Sequence, residues 1–155
     1  MTPLNLELAA VFEDVALALL YEKEAWVKVN AYQKAAVTLR ELEEGVDTLE
    51  GDLTRLPGVG PAIAKKIREY LTDGRFPLMD RLDARLRPAT REMLRAGLAP
   101  SLVRHVEELE LTDLNAVNAA IDAGELRLEA LPKRLQPMFS EYLMAHRERW
   151  GSGEI

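Results

Sequence analysis

Apolar residues recur at intervals of three and four along most of this chain, the spacing that places them on one face of a helix. Three long stretches in the first half show it, Leu6–Tyr21, Trp26–Leu42 and Gly60–Leu71. No stretch alternates apolar and polar residues in the manner of a half-buried strand. The pattern therefore predicts an all-α protein. Further helices are expected at residues 46–50, 53–56, 78–86, 88–94, 101–109, 115–123 and 136–149.

The same periodicity identifies the residues expected to form the core. One side of each long predicted helix carries aliphatic or aromatic residues, and polar residues are concentrated on the opposite side. Hydrophobic residues make up 48% of the chain but aromatic residues only 6%, so leucine, alanine and valine must fill most of the interior. The inward side chains predicted for the three long helices are Leu8, Val11, Phe12, Val15, Leu19, Leu20, Val29, Tyr32, Ala36, Leu39, Ile63, Ile67 and Leu71.

Between two predicted helices lies a short segment with two glycines, residues 56–61 (LPGVGP). Because glycine has no Cβ, Gly58 and Gly60 can adopt positive φ and let another backbone come close, while Val59 points inward. Pro61 suits the first turn of the next helix, where its missing N–H costs nothing. The backbone N–H groups at that helix start form a site for an anion. This pattern is typical of a helix-hairpin-helix, a module that binds the DNA backbone without reading bases.

The chain contains two weaker copies of this segment. Residues 97–100 (GLAP) and 131–135 (LPKRL) repeat part of the pattern with fewer glycines. Ala99 and Leu135 stand where glycine would be needed, and a Cβ there obstructs a phosphate. Both copies are therefore expected to be packing elements. We predict a helix-hairpin-helix domain at residues 1–76, a degenerate second helical subdomain at 77–150 and a flexible tail at 151–155.

The charge of the chain limits the hypothesis of DNA binding. Acidic residues outnumber basic ones, and the formal net charge at pH 7 is −6. Proteins that bind the nucleic-acid backbone usually present a basic surface. Tight non-specific binding driven by counterion release is therefore not expected. A small local site built from N–H groups and a few lysines remains compatible with this charge.

The composition also restricts the cellular setting. The chain has no cysteine, which excludes disulfides and cysteine-ligated zinc. No apolar run is long enough to span a bilayer, and the first residues carry acids where a signal peptide would carry basic residues. We therefore expect a cytoplasmic protein with no membrane partner.

Two motifs occur together in a specific order. Residues 28–36 (KVNAYQKAA) precede residues 56–60 (LPGVG) and 63–67 (IAKKI). Gly74 follows at the end of the predicted helix Gly60–Leu71, which we call the exit helix. Together they resemble the N-terminal domain of family X DNA polymerases. A weaker similarity continues to residues 131–132 and resembles the fingers region of bacterial members. The resemblance implies a helical fold similar to the polymerase beta N-terminal domain.

The resemblance also implies a particular site. In animal members, this domain binds the 5′-phosphate side of a DNA gap and removes an abasic sugar by β-elimination. The nucleophile is a lysine of the exit helix, and Lys66 falls on that position. Lys28 and Tyr32 fall beside the phosphate and sugar, with Lys34 nearby. Such hairpins hold a monovalent cation, Na⁺ or K⁺, through backbone carbonyls, here those of Thr54, Leu56 and Val59.

The chain departs from the family in three respects. A phosphate-contacting lysine of the family falls on Ala62, and another basic position falls on Val27. Both losses weaken the expected phosphate pocket. The sequence also has no Asp-x-Asp pair that would hold two metal ions for nucleotidyl transfer. Polymerase activity is therefore not expected of this chain, which is either a stand-alone relative or a fragment of a longer protein.

These observations leave three hypotheses. One is sequence-independent DNA binding at gaps or 5′-phosphate ends in repair. Another is abasic-sugar lyase activity, which requires Lys66 to attack as a neutral amine with a lowered pKa. The third is a protein-interaction module that has lost DNA binding and contacts a partner through its second half. In simpler interpretations, Tyr32 is a core residue and Lys66 is a solvated lysine. The residues predicted to contact DNA are Gly58, Val59, Gly60, Ala62, Lys65, Lys66, Lys28, Tyr32 and Lys34.

Overall fold

The computed structural model describes residues 2–153, with side chains up to residue 146. Over these residues the protein is all-α, as predicted, and contains no strand. The chain divides into two compact units, Met1–Leu86 and Arg87–Ile155. The first unit contains α1 (Pro3–Tyr21), α2 (Trp26–Glu41), α3 (Pro61–Asp73) and α4 (Pro77–Arg85). The second contains α5 (Pro88–Arg95), α6 (Pro100–Glu108), α7 (Leu114–Asp122) and α8 (Gln136–Gly153).

The division into units differs from the predicted boundary at residue 76. Helix α4 lies in the first unit, because Leu82 and Leu86 are buried in the same core cluster as α1 and α2. Arg85 of α4 also forms two hydrogen bonds of 2.8 Å with the Glu22 carboxylate, just after α1. Residues 151–153 of the predicted flexible tail instead continue α8, and residues 154–155 lie outside the described residues.

Proline begins five of the helices. Because the first turn of a helix has no intrahelical partner for its N–H groups, proline is accepted there, and its fixed φ suits the helix. The positions are Pro3, Pro61, Pro77, Pro88 and Pro100.

The core of the first unit is built where α1 packs along α2. Phe12 lies at its centre, with its ring centroid 5.8 Å from those of Tyr32 and Phe76. Val11, Leu20 and Leu71 are only partly buried against the core. The other inward side chains predicted from the sequence are buried: Leu8, Phe12, Val15, Leu19, Val29, Tyr32, Ala36, Leu39, Ile63 and Ile67.

A buried asparagine joins α1 to the segment that follows α2. Asn5 has no solvent-exposed surface. Its Nδ2 donates to the carbonyl oxygens of Leu42 at 3.3 Å and Glu44 at 2.7 Å. Its Oδ1 accepts the backbone N–H of Val46 at 2.9 Å. The side chain thereby satisfies three backbone groups of a segment that lies between helices, where regular hydrogen bonding is absent.

The second unit contains the first copy of the hairpin segment, between α5 and α6. Gly97 has φ +101°, Leu98 is buried and Pro100 begins α6. The second copy precedes α8, and its Leu131 and Leu135 are buried. The buried leucines agree with the expectation that both copies are packing elements.

Candidate nucleic-acid interface

The two-glycine segment forms a tight turn that leads directly into α3. Gly58 has φ +73°, in the left-handed region, and the turn is closed by a hydrogen bond of 3.1 Å from the Val59 N–H to the Leu56 carbonyl. The Val59 side chain is buried in the core, as expected. Gly60 is extended and precedes α3 without a side-chain cap. The N–H groups in the first turn of α3 are therefore not covered by a capping oxygen, which is the arrangement suited to an anion.

Helix α2 holds this turn in place. The Thr38 hydroxyl donates a hydrogen bond to the Pro57 carbonyl. A Cβ added at Gly58 would lie 3.0 Å from the Lys34 Cβ, whereas one at Gly60 would meet nothing within 4 Å. Gly58 is thus required both for its positive φ and for the close approach to α2, while Gly60 faces open space.

Lys34 lies in a groove beside the turn. The groove has a volume of about 540 Å³ and runs between α2 and residues 57–58. It is separate from the cavity that contains Lys66, so the structure does not gather all predicted lysines at one point. The groove is lined by Asn30, Gln33, Lys34, Val37, Thr38, Glu41, Pro57 and Gly58.

A second cavity, which we call the basic cavity, lies beside the start of α3. Its volume is about 390 Å³. It brings together four of the predicted site residues, Lys28, Tyr32, Ala62 and Lys66. Its complete lining is Leu19, Glu24, Lys28, Ala31, Tyr32, Ala62, Ile63, Lys66, Leu78, Arg81 and Arg85.

Two of the cations in the basic cavity are compensated by carboxylates. The Lys28 amine lies 3.5 Å from the Glu24 carboxylate, and Arg85 pairs with Glu22 at 2.8 Å. Among residues 2–146, neither Lys66 nor Arg81 has a carboxylate oxygen within 4.0 Å. The basic cavity therefore has an excess of positive charge, even though the chain as a whole is acidic.

Lys66 occupies a partly desolvated position above an aromatic ring. Its Nζ is 5.9 Å from the centroid of the Tyr32 ring. Burial lowers the pKa of the Lys66 amine, the Glu69 carboxylate opposes this change, and the positive charges of Arg81 and Lys65 add to the lowering. A lysine that acts as a nucleophile must be neutral, and a lowered pKa favours the neutral amine.

Tyr32 combines the two interpretations left open by the sequence. Its ring is buried and packs edge-on against Phe12, yet the residue also lines the basic cavity. Burial raises the pKa of the Tyr32 hydroxyl, and the positive charge of Arg81 opposes the rise. The phenol is therefore neutral at pH 7 and able to donate a hydrogen bond into the cavity.

The remaining predicted contacts occupy different environments. Lys65 is exposed on α3 and does not line the basic cavity, whereas Ala62 contributes a methyl group to it. Since the Val59 side chain is buried, only its backbone is available to a ligand. The carbonyls of Thr54, Leu56 and Val59 are oxygen donors, the kind that suits a hard cation. The Leu56 carbonyl accepts one hydrogen bond from Val59, which leaves it a second lone pair.

The sequence analysis missed Arg81 and Arg85, the two arginines that α4 contributes to the basic cavity. With Leu78 they stand at positions i, i+3 and i+7 of α4, so all three share one face and all three line the cavity. This spacing, which can be read from the sequence, indicates that the two arginines share one face of the helix. Because α4 follows the predicted domain boundary at residue 76, the sequence alone does not place its arginines near the hairpin.

The acidic charge is concentrated in another part of the first unit. Residues 41–52, which we call the acidic segment, contain six acidic residues and no basic one. All six side chains are exposed, and none lines the basic cavity. The segment is fixed against α3 by a 2.7 Å hydrogen bond from Arg68 to the Gly51 carbonyl. The net charge of the chain is thus a poor guide to the charge of the basic cavity, whereas Glu41 lines the groove beside the hairpin turn.

Comparison with known families agrees with this geometry. A family model described as a helix-hairpin-helix domain matches residues 3–76. These residues are therefore a helix-hairpin-helix domain, a class that indicates nucleic-acid binding. No curated protein matches the chain significantly. Within residues 2–153, no helix combines the length and apolar character needed to cross a membrane.

Proposed function

We propose that this protein binds DNA without sequence preference, at gaps or 5′-phosphate ends during repair. The observation that carries the proposal is the position of the basic cavity. Ala62 and Ile63, in the first turn of α3, line the same cavity as Lys66 and Arg81. The start of α3 and two cations without a carboxylate oxygen within 4.0 Å therefore adjoin one cavity, where they could contact one phosphate group. The hairpin backbone at Gly58 and Gly60 would contact a neighbouring phosphate.

Binding of this kind should be modest, and its dependence on salt should be measurable but shallow. A site with two or three phosphate contacts releases few counterions, so the binding constant should fall roughly 10- to 40-fold between 50 and 200 mM salt. Fluorescence anisotropy with a labelled duplex containing a one-nucleotide gap would measure it. A 5′-phosphorylated gap should bind more tightly than the same gap with a 5′-hydroxyl.

The test has a matched control within the first unit. Replacing both Lys65 and Lys66 by glutamine should weaken binding and reduce its salt dependence. Lys23→Gln removes a positive charge that lines neither cavity, and should leave both unchanged. Absence of salt-dependent binding by the wild-type protein, even at low ionic strength, would contradict the proposal.

We further propose that the same cavity supports abasic-sugar lyase activity, because Lys66 lines it above the Tyr32 ring and burial lowers the pKa of its amine. On an abasic substrate Lys66 would act as the neutral nucleophile, and Arg81 would contact the phosphate in its place. The neutral Lys66 amine would attack the aldehyde carbon of an abasic deoxyribose, and loss of water would give an iminium ion. Loss of a C2′ proton to solvent water then lets the C3′–O bond break, and the oxygen leaves with the phosphate of the adjoining strand. Water hydrolyses the remaining imine and returns the amine.

Borohydride trapping tests this second activity. Reduction of the iminium should leave a covalent protein–DNA adduct in the wild-type protein, and Lys66→Ala should abolish it. Lys23→Gln is again the control, since this lysine lines neither cavity and is not among the predicted DNA contacts. The adduct yield should rise with pH and reach half of its maximum below pH 10.5, the ordinary value for lysine. Equal adduct formation by the Lys66→Ala variant would refute the assignment.

The monovalent cation at the hairpin and the protein partner of the second unit stay predictions. A Na⁺ or K⁺ ion at the hairpin would be held by the carbonyls of Thr54, Leu56 and Val59 and would add positive charge near a phosphate. A protein partner would contact the second unit, where Leu109 and Met144 are exposed apolar residues. If the DNA titration fails, the partner hypothesis becomes the preferred one.

A further inference from the structure

We infer that Arg81 of α4 is the residue that recognises a terminal phosphate in the basic cavity and distinguishes it from an unphosphorylated end. This inference rests on the proposed DNA binding. It assigns to α4 a role that the sequence analysis expected from the exit helix, where Ala62 provides no charge.

The lining of the cavity supports this assignment. Ala62 presents only a methyl group, so it leaves room and no cation at the start of α3. Arg81 lines the same cavity from α4, and its positive charge acts to lower the pKa values of both Lys66 and Tyr32. An anion held between these groups would relieve the repulsion between the Arg81 and Lys66 cations.

The chemistry of the side chain explains why a terminal phosphate is the preferred ligand. A guanidinium offers two parallel N–H groups that match two oxygens of one phosphate. A terminal phosphomonoester carries nearly two negative charges and three oxygens outside the ester bond. A phosphodiester within a strand carries one charge and two such oxygens. The Lys66 amine therefore has a stronger electrostatic partner on the terminal phosphate, which carries the second negative charge that a phosphodiester lacks.

Arg85 provides an internal comparison. It lies on the same face of α4, one turn further along, and lines the same cavity. However, its guanidinium already forms two 2.8 Å hydrogen bonds with Glu22. Its charge is compensated, and the N–H groups that could bind a phosphate already donate to Glu22. Arg85 is therefore less available to a phosphate than Arg81.

The experiment compares affinity for gapped duplexes with a 5′-phosphate and with a 5′-hydroxyl. The ratio of the two dissociation constants should fall by about five- to tenfold in Arg81→Gln. Arg81→Lys, which keeps the charge but loses the fork, should lose part of the ratio. Arg85→Gln should keep the wild-type ratio. Thermal unfolding of each variant establishes that it is folded, which is expected because Arg81 is exposed.

The possible results test the role of Arg81 separately from DNA binding itself. If the wild-type protein binds neither duplex in a salt-dependent manner, both are overturned. If it binds both duplexes but equally well, or if Arg81→Gln keeps the wild-type ratio, only the role of Arg81 is overturned. An equal loss of the ratio in Arg81→Gln and Arg85→Gln would also overturn it, because it would indicate a general effect of charge.

Discussion

Gly58→Ala should lower the free energy of unfolding by about 2 kcal/mol. Gly58 has φ +73°, a region in which an L-residue is strained. The new Cβ would also lie 3.0 Å from the Lys34 Cβ, so α2 and the hairpin would have to move apart. Urea denaturation followed by circular dichroism would measure the loss.

Two other glycines act as controls for this substitution. Gly74 has φ +74° but nothing within 4 Å of an added Cβ, so Gly74→Ala should show the backbone strain alone, about 1 kcal/mol. Gly60 has an extended backbone and open space, so Gly60→Ala should cost only about 0.5 kcal/mol. Its methyl group would instead obstruct DNA. A Gly58→Ala variant as stable as Gly74→Ala would show that the close approach of α2 is unimportant.

Asn5→Ala should lower the free energy of unfolding by about 2–4 kcal/mol. Asn5 is fully buried and makes three hydrogen bonds to backbone groups of residues 42–46. Removing its amide leaves the Val46 N–H and two carbonyls without their partner, away from full hydration. The smaller side chain also leaves space in a packed region.

Chemical denaturation of the Asn5→Ala variant measures this effect, and Asn115→Ala is its control. Asn115 is exposed on α7, so its replacement should change stability by less than about 0.5 kcal/mol. Asn5→Asp is informative as well, because it keeps the acceptor for Val46 but removes both donors. If Asn5→Ala is as mild as the control, the asparagine does not hold the segment after α2.

Much of the fold could be predicted from the sequence because it depends on local patterns. The apolar spacing of Val29, Tyr32, Ala36 and Leu39 identified the buried face of α2, and all four are buried. The paired glycines before Pro61 predicted the tight turn, and the family match confirms the helix-hairpin-helix domain. In each case the determining residues lie within one or two helical turns of one another.

The features that could not be predicted depend on distant residues. The function of Asn5 requires partners about forty residues further along the chain. Arg81 and Arg85 enter the basic cavity only because α4 packs with the first unit. The sequence also gave no means of distinguishing Arg85, which is held by Glu22, from Arg81. Tertiary packing decides each of these points, and the helical pattern carries no information about it.

The acidic segment gives the first unit an uneven distribution of charge, with consequences before any contact is made. A polyanion approaching the molecule is repelled by one part of the unit and attracted by another, which exerts a torque on both. Under the proposed DNA binding, encounters would be rotated towards the cavity while the partners are still apart, over distances of about 10 Å at 0.1 M salt. An acidic protein can therefore favour one direction of approach for a polyanion. Its net negative charge makes encounters at other parts of its surface less frequent.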